Sequence, residues 1–498
     1  MTVNPRVNPK KLRPYDEPPK RRRTLIPDGP DTAAGGFFIV AALWLALATA
    51  LGALAIGLRV ITFEVKAPIG IFDLAFELNE RRVEYAFVNA TVYGWLTNAG
   101  FAAIAFITPR LTGRRLAMEK MLLLALLAWN GALALGILLL YFLDINPHSP
   151  LTAFPWFIDG GLATGALIVA GSFVLTAASS LRTGYVSLWF IGVAILSLLG
   201  LMSLNAGLGI FEQFLNLDEL PTALASAFFE VALPALWLLG MAFAILYYVV
   251  PRAANQPLAS GAAALLAWLT WLVFAPASAL GALVDPSVPF IVTTLGGTAT
   301  ILLVVPALLT VGNLAATMSG RWTLLFSIGV AAMAAVSLVF LLGTSLLEAI
   351  GALRAVDARV SGTDWEDGVF IWAMYGAFTL ATFALAEHAM PRILRRAWGG
   401  GFLSGAQLWL AFGGATIAGL ALMGGGLAQA ALIASGATPD VLSAELIIYR
   451  VAAFAGFGLV ALAGVAMLVN MFLLYTTAEP AQYVAPVGSA SAPAAASH

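Results

Sequence analysis

The placement of charge decides what this chain can fold into. Its ionisable side chains gather in short connections, and between them run twelve stretches of about 20 or more mostly apolar residues. Each stretch is long enough to cross the hydrocarbon core of a bilayer. Hydrocarbon offers no water to satisfy backbone N–H and C=O groups, so such a span has to be helical. The spans are expected at Phe37–Phe63, Tyr85–Thr108, Met121–Leu143, Ile158–Ala178, Tyr185–Leu208 and Pro221–Val250. The second half gives Gly261–Leu283, Phe290–Met318, Trp322–Leu347, Val369–Met390, Phe402–Ile433 and Leu446–Leu474. Composition agrees: of 498 residues 61% are apolar and 10% charged, where a soluble domain carries roughly a quarter charged. The fold class implied is an all-α integral membrane protein, a bundle of twelve transmembrane helices.

Three regions follow. Residues 1–34 hold Lys10, Lys11, Arg13 and the run Lys20–Arg23 among prolines, with no apolar core. They read as a flexible basic tail, not a cleaved signal peptide. Residues 35–475 are the membrane domain, and 476–498, rich in Ala, Pro and Ser, read as a disordered tail. Lys and Arg concentrate on the cytoplasmic side of membrane proteins. Here the N-terminal tail and the even-numbered connections carry Arg110, Arg114, Arg115, Lys120, Arg182, Arg252, Arg321, Arg392, Arg395 and Arg396. The odd-numbered connections are acidic by contrast, with Asp144, Glu212, Asp218, Glu219, Asp285, Asp364, Glu366, Asp367 and Asp440, and the first is mixed. Both termini are therefore expected in the cytoplasm.

No connection is long enough for a soluble domain, so recognition or chemistry has to lie within the bundle or at its rims. The net charge of −1 gives no basic surface for nucleic acid, and the partner implied directly is the lipid bilayer. The absence of cysteine excludes disulfides, thiolate metal sites and c-type haem attachment in this chain. Histidine is nearly absent too: His148, His388 and the terminal His498 are all there are.

Three segments share a cadence: FVNATVYGWLTNAGFAAIAFITPR at Phe87–Arg110, VALPALWLLGMAFAILYYVVPR at Val231–Arg252, and TDWEDGVFIWAMYGAFTLATFALAEHAMPR at Thr363–Arg392. They resemble helices two, six and ten of subunit I of the cbb-type cytochrome c oxidases, within the haem-copper oxidase superfamily that also includes the nitric oxide reductases. The resemblance covers about residues 35–475. It implies a twelve-helix subunit in the bacterial inner (cytoplasmic) membrane. It also implies two haems and one copper ion held by six histidines, and a membrane-anchored c-type cytochrome subunit as partner.

Matched residue by residue, the resemblance places those ligand positions on side chains that cannot coordinate. The family's haem histidine of helix two precedes Asn-Ala; here Asn89-Ala90, Asn98-Ala99 and Arg110 keep the spacing, and the position falls on Phe87. The copper histidine of helix six precedes a Tyr-Tyr-x-Val-Pro ending, kept as Tyr247, Tyr248, Val250 and Pro251, and falls on Val231. Where helix seven carries Gly-Pro-His-His, this chain reads Ala275-Pro276-Ala277-Ser278. In helix ten, Thr363-Asp364-Trp365 and His388-Ala389-Met390-Pro391-Arg392 bracket a His-x-His pair that falls on Val369 and Ile371. Phe, Val, Ala and Ile offer iron or copper no lone pair, and serine is a poor ligand for copper. The scarcity of histidine gives the same answer without any alignment. No catalytic residue, cofactor or metal is expected, and the twelve methionines read as packing.

Ionisable groups inside spans call for an explanation. Glu230 adjoins the copper position on the sixth span and Glu348 ends the ninth; either is proton-active or an interhelical hydrogen-bonding group. Asn98, Asn205, Asn313 and Asn470 read as polar contacts between helices, and His388 as an interface or helix-end residue. Asn89-Ala90-Thr91 matches a glycosylation acceptor but falls inside a span. Function divides accordingly. The first reading is a haem-less, copper-less subunit I homologue acting as a structural, assembly or regulatory subunit of a membrane complex. The alternatives are an active terminal oxidase or nitric oxide reductase subunit, and a proton-coupled secondary transporter using Glu230.

Overall fold

The structure, a computed structural model, describes residues 30–61, 65–68, 75–143, 149–181, 184–215, 219–326, 329–396, 398 and 401–476. His148, His498 and the tail readings for 1–29 and 477–498 lie outside the described residues. Twelve helices are long and apolar enough to cross a membrane. They are α1 (Thr32–Val60), α2 (Glu80–Thr112), α3 (Glu119–Leu139), α4 (Trp156–Ala177), α5 (Val186–Phe214) and α6 (Leu220–Ala254). Next come α7 (Gly261–Ala282), α8 (Phe290–Thr317), α9 (Val330–Gly351), α10 (Asp364–Leu394), α11 (Gly401–Ala434) and α12 (Pro439–Thr476).

The number of spans is the one expected; their ends move for local reasons. α1 starts at Thr32, inside the stretch read as tail. α10 starts at Asp364, not Val369, because Thr363 caps it by accepting from the Trp365 amide at 3.3 Å, and three acids fill its first turn. α12 begins at Pro439, whose fixed φ and missing N–H suit a first helical position. The ninth span loses its expected beginning: Trp322–Leu325 is a separate 3-10 turn, and Gly329 at φ 141° lies between it and α9. The first connection holds an antiparallel strand pair, β1 (Val65–Pro68) and β2 (Ala75–Leu78), that hydropathy did not reveal.

Nine helices form a ring in the order α1, α3, α4, α5, α7, α8, α9, α11, α12, and α2, α6 and α10 touch one another inside it. An 18-residue apolar stretch of each of those three is 100%, 89% and 89% buried, against 33–56% for the other nine. Hydropathy alone cannot make this distinction, because lipid is as apolar as a core; association depends on close packing. Glycine supplies it at the α11–α12 contact, where a Cβ on Gly414 would stand 2.7 Å from the Gly456 carbonyl oxygen.

Candidate functional site

The three innermost helices share a backbone irregularity. Each contains a π-helical segment: Ala90–Leu96 in α2, Pro234–Leu238 in α6 and Trp372–Phe378 in α10. Each begins three residues beyond a position assigned by resemblance to a metal-ligating histidine, namely Phe87, Val231 and Val369. The wider turn shifts the register of hydrogen bonding, so the amides of Thr97, Leu239 and Thr379 bond the carbonyls five residues back.

Two threonines turn this shift into contacts between helices. Thr97 Oγ1 donates to the Val92 carbonyl at 2.8 Å and accepts from Trp237 Nε1 of α6 at 2.9 Å. Thr379 Oγ1 donates to the Met374 carbonyl at 2.7 Å and accepts from Trp95 Nε1 of α2 at 2.8 Å. Thr91 and Tyr375 join α2 to α10 again, hydroxyl to hydroxyl at 2.7 Å. A buried indole N–H without a partner costs about 1–3 kcal/mol, so these pairs fix the helices' rotation about their own axes.

Of the six positions, Phe87 touches this clasp directly, through Tyr375. The Phe87 ring is 6% exposed; it stacks on Tyr375 (6.2 Å, 5°) and meets Phe370 (5.8 Å) and Phe457 (5.5 Å) edge-on. A Cβ on Gly52 of α1 would lie 2.5 Å from both Phe87 and Phe457, so the absent side chain at Gly52 is what admits the two rings. Val369 and Ile371 are buried at 6% and 2%. Val231 is half-buried against the core. Ala277 is half-buried, and the buried Ser278 spends its hydroxyl on the Ala275 carbonyl at 2.8 Å. The lower part of α6, which carries Val231, packs on the turn directly after Ser278. Five of the six side chains have no lone pair to offer a metal and the sixth is the Ser278 hydroxyl, and among the described residues no three His, Asp or Glu side chains gather where they could hold a metal ion.

The polar residues singled out from sequence separate. Asn98 exchanges amide hydrogen bonds with Asn130 of α3, both at 2.9 Å, and Trp44 of α1 donates to the same Asn130 oxygen at 2.6 Å. Asn313 pairs with the backbone of Ser260 in both directions at 2.9 and 2.8 Å. Asn470 reaches Gln407 at 3.4 Å, and Asn205 of α5 lies against Asp159 of α4. Asn89 is fully buried and donates to the Pro150 carbonyl at 2.8 Å. Glu230 is half-buried beside Val231, whereas Glu348 is exposed on the last turn of α9 and makes no side-chain hydrogen bond or ion pair among the described residues. His388 is buried edge-on to Phe106 (6.2 Å) and Tyr248 (5.9 Å), and its carbonyl accepts from Arg392.

On the face away from the described chain ends, Arg59 of α1 bonds Glu80 at 2.9 Å, Glu84 at 3.1 Å and Asp367, and stands 3.7 Å from Asp364. Arg450 of α12 also reaches Asp364, at 3.1 Å. Beside this cluster Glu77 of the strand pair accepts from Arg82 at 2.8 Å and pairs with Lys66, and these bonds hold its carboxyl below the usual range.

Neither the π segments nor the threonine clasp was inferred from sequence. The signal that could have found the clasp is that the indoles Trp95 and Trp237, inside apolar spans, need acceptors, and that Thr97 and Thr379 in the first and third segments offer them; the middle segment has no threonine. The family model for cytochrome c and quinol oxidase polypeptide I matches residues 32–459. The fold is similar to that of a haem-copper terminal oxidase solved as a dimer by cryo-electron microscopy, with TM-score 0.75 over 93% of this chain and 89% of that one at 16% identity. No curated protein matches.

Proposed function

The chain belongs to the cytochrome c and quinol oxidase polypeptide I family, and from that premise we propose that it is a member without haem or copper that serves as a structural, assembly or regulatory subunit of a membrane complex. The observation that carries this is the closed group of Phe87, Phe370, Tyr375 and Phe457, which occupies the space between α2 and α10 with rings in van der Waals contact. A haem ligated from Phe87 and the Val369–Ile371 pair would need that space and two imidazoles, and the chain supplies neither. Family membership carries the fold, and activity belongs to the site.

The complex is of the respiratory type in the inner membrane, with both chain ends in the cytoplasm. Its partner is a membrane-anchored c-type cytochrome subunit, which meets the acidic outer rim around Glu80, Glu84, Asp364 and Asp367. In this role the twelve-helix body offers helix faces to other subunits, and electrons travel through the partner. The test is an absorption spectrum of the purified, dithionite-reduced protein, with iron and copper measured by mass spectrometry on the same sample. The expected result is no Soret band and metal far below one per chain. A Soret band with α peaks in stoichiometric amount overturns the proposal in favour of an active oxidase or reductase.

A further inference from the structure

The inner helices end alike on the face that carries the described chain ends. α2, α6 and α10 finish with a ring residue, then proline three positions on and arginine next: Phe106, Pro109, Arg110; Tyr248, Pro251, Arg252; His388, Pro391, Arg392. Each arginine folds back to donate to the carbonyl of its own ring residue, with Arg110 to Phe106 and Arg252 to Tyr248 both at 2.9 Å. Two of the guanidinium groups also lie on those rings, each 3.6 Å from the centroid. A single arginine at a helix C-terminus is an ordinary complement to the helix dipole. Here three converge on one cavity of about 410 Å³, lined by Arg110, Tyr248, Arg252, Asn255, His388 and Arg392.

The charge in that cavity does not balance within the described residues. Asp31 takes Arg110 with both carboxylate oxygens at 2.7 and 2.8 Å. Among the described residues Arg252 and Arg392 have no carboxylate partner, and each bonds only its own helix's carbonyl. A guanidinium has five N–H donors in a planar fork, so most of those on Arg252 and Arg392 are unclaimed. Stacking and the carbonyl bond orient at least Arg252 before any ligand arrives, which lowers the cost of binding. Asp31 shows the chemistry that fits: an oxyanion held by two parallel N–H···O bonds.

We propose that this cavity is an anion-binding site for a phosphate group, gripped by Arg252 and Arg392 with Arg110 completing the ring of positive charge. Phosphate suits three convergent arginines better than a carboxylate does, because it presents three or more acceptor oxygens in different directions. The group is carried either by free phosphate or by the headgroup of an anionic phospholipid, since the cavity opens at the membrane face.

The test uses the full-length protein, stripped of lipid in a neutral detergent. Inorganic phosphate is titrated against chloride of equal ionic strength, and separately phosphatidylglycerol micelles against phosphatidylcholine micelles, with the thermal transition as readout. A rise with phosphate identifies the free ion, and a rise with phosphatidylglycerol alone identifies the headgroup. In either case the double variant Arg252→Gln/Arg392→Gln weakens the apparent affinity by about tenfold or more. Asp31→Asn tightens it several-fold, because Arg110 is released to the ligand while asparagine keeps the left-handed backbone found at residue 31 (φ 64°). That second variant gains binding, so its effect cannot come from misfolding. No rise with either probe, or the same rise in all three proteins, overturns the proposal.

Discussion

Trp237 of α6 donates its indole N–H to the Thr97 hydroxyl of α2 at 2.9 Å, and that hydroxyl in turn donates to the Val92 carbonyl of its own helix at 2.8 Å. The carbonyl is one that the π turn has moved out of the ordinary α ladder, and it also accepts the Thr97 amide. One residue thus ties a backbone irregularity to the contact between two inner helices. Thr379 and Trp95 repeat the arrangement between α10 and α2, so the three helices are locked in rotation by side chains that can turn no other way without burying an unpaired donor.

Thr97→Val keeps the shape and removes the hydroxyl, leaving the Trp237 N–H in a fully buried site without an acceptor. The expected loss is about 1–3 kcal/mol, read as a lower thermal transition in detergent. Trp237→Phe made in the Thr97→Val background adds less than it does alone, because the two side chains share one bond. Full additivity of the two changes counts against the clasp.

The twelve spans were legible because hydrocarbon imposes length and apolarity on each of them separately. The inner position of α2, α6 and α10 was not, since lipid-facing and buried apolar residues look alike: Leu127 on α3 is 70% exposed and Leu246 on α6 is fully buried, yet both are leucines within apolar stretches. The strand pair 65–68/75–78 escaped because its register is set by long-range contacts, Glu77 N–H to the Tyr141 carbonyl at 2.9 Å among them. Motif spacing led to Phe87 but not to the aromatic rings that fill the space around it, since Phe457 is far away in the chain. Of the arginine cavity, the repeated ring-x-x-Pro-Arg ending stood in plain view; that the three endings meet is a property of the fold.

Phe87→Ala removes the ring that touches Phe370, Tyr375 and Phe457 and opens a hole at the α1–α2–α10–α12 junction. A truncation of this kind costs about 3–5 kcal/mol. Phe87→His, the change that restores the imidazole, is expected to bind no haem, because Val369 and Ile371 opposite still lack a lone pair and the neighbouring rings still fill the space. Haemin titration followed at the Soret band checks this, and a stoichiometric spectral shift in Phe87→His contradicts it.

Stability below neutral pH responds to the strand pair. Glu77 has its carboxyl lowered from the ordinary 4.5 first by the bond from Lys66 and then by that from Arg82. A depressed folded-state value means that the contribution is complete above pH 4.5 and is lost as pH falls through the lower value of the folded protein. Glu77→Gln is therefore expected to reduce stability at neutral pH and to flatten the fall below pH 4.5, in thermal scans run side by side with the parent. An unchanged slope in the variant means the carboxylate bonds are not holding the strand pair against the α3 end.

Arg59 is the sharpest single point of failure on the face away from the described chain ends. Its side chain is 12% exposed and faces Glu84, Asp364 and Asp367, of which Asp364 is only 8% exposed. Arg59→Gln leaves those carboxylates close together, with Arg450 the remaining cation on Asp364. Removing one partner from a buried ionic group costs about 3–5 kcal/mol, and the partial exposure of Glu84 and Asp367 places this change near the lower end. The loss comes from uncompensated carboxylates and not from the missing bonds themselves, so Asp367→Asn added to Arg59→Gln should recover part of the lost thermal stability. If the double variant is as unstable as the sum of the two singles, the cluster is held by packing of the arginine stem, and the charges around it are incidental.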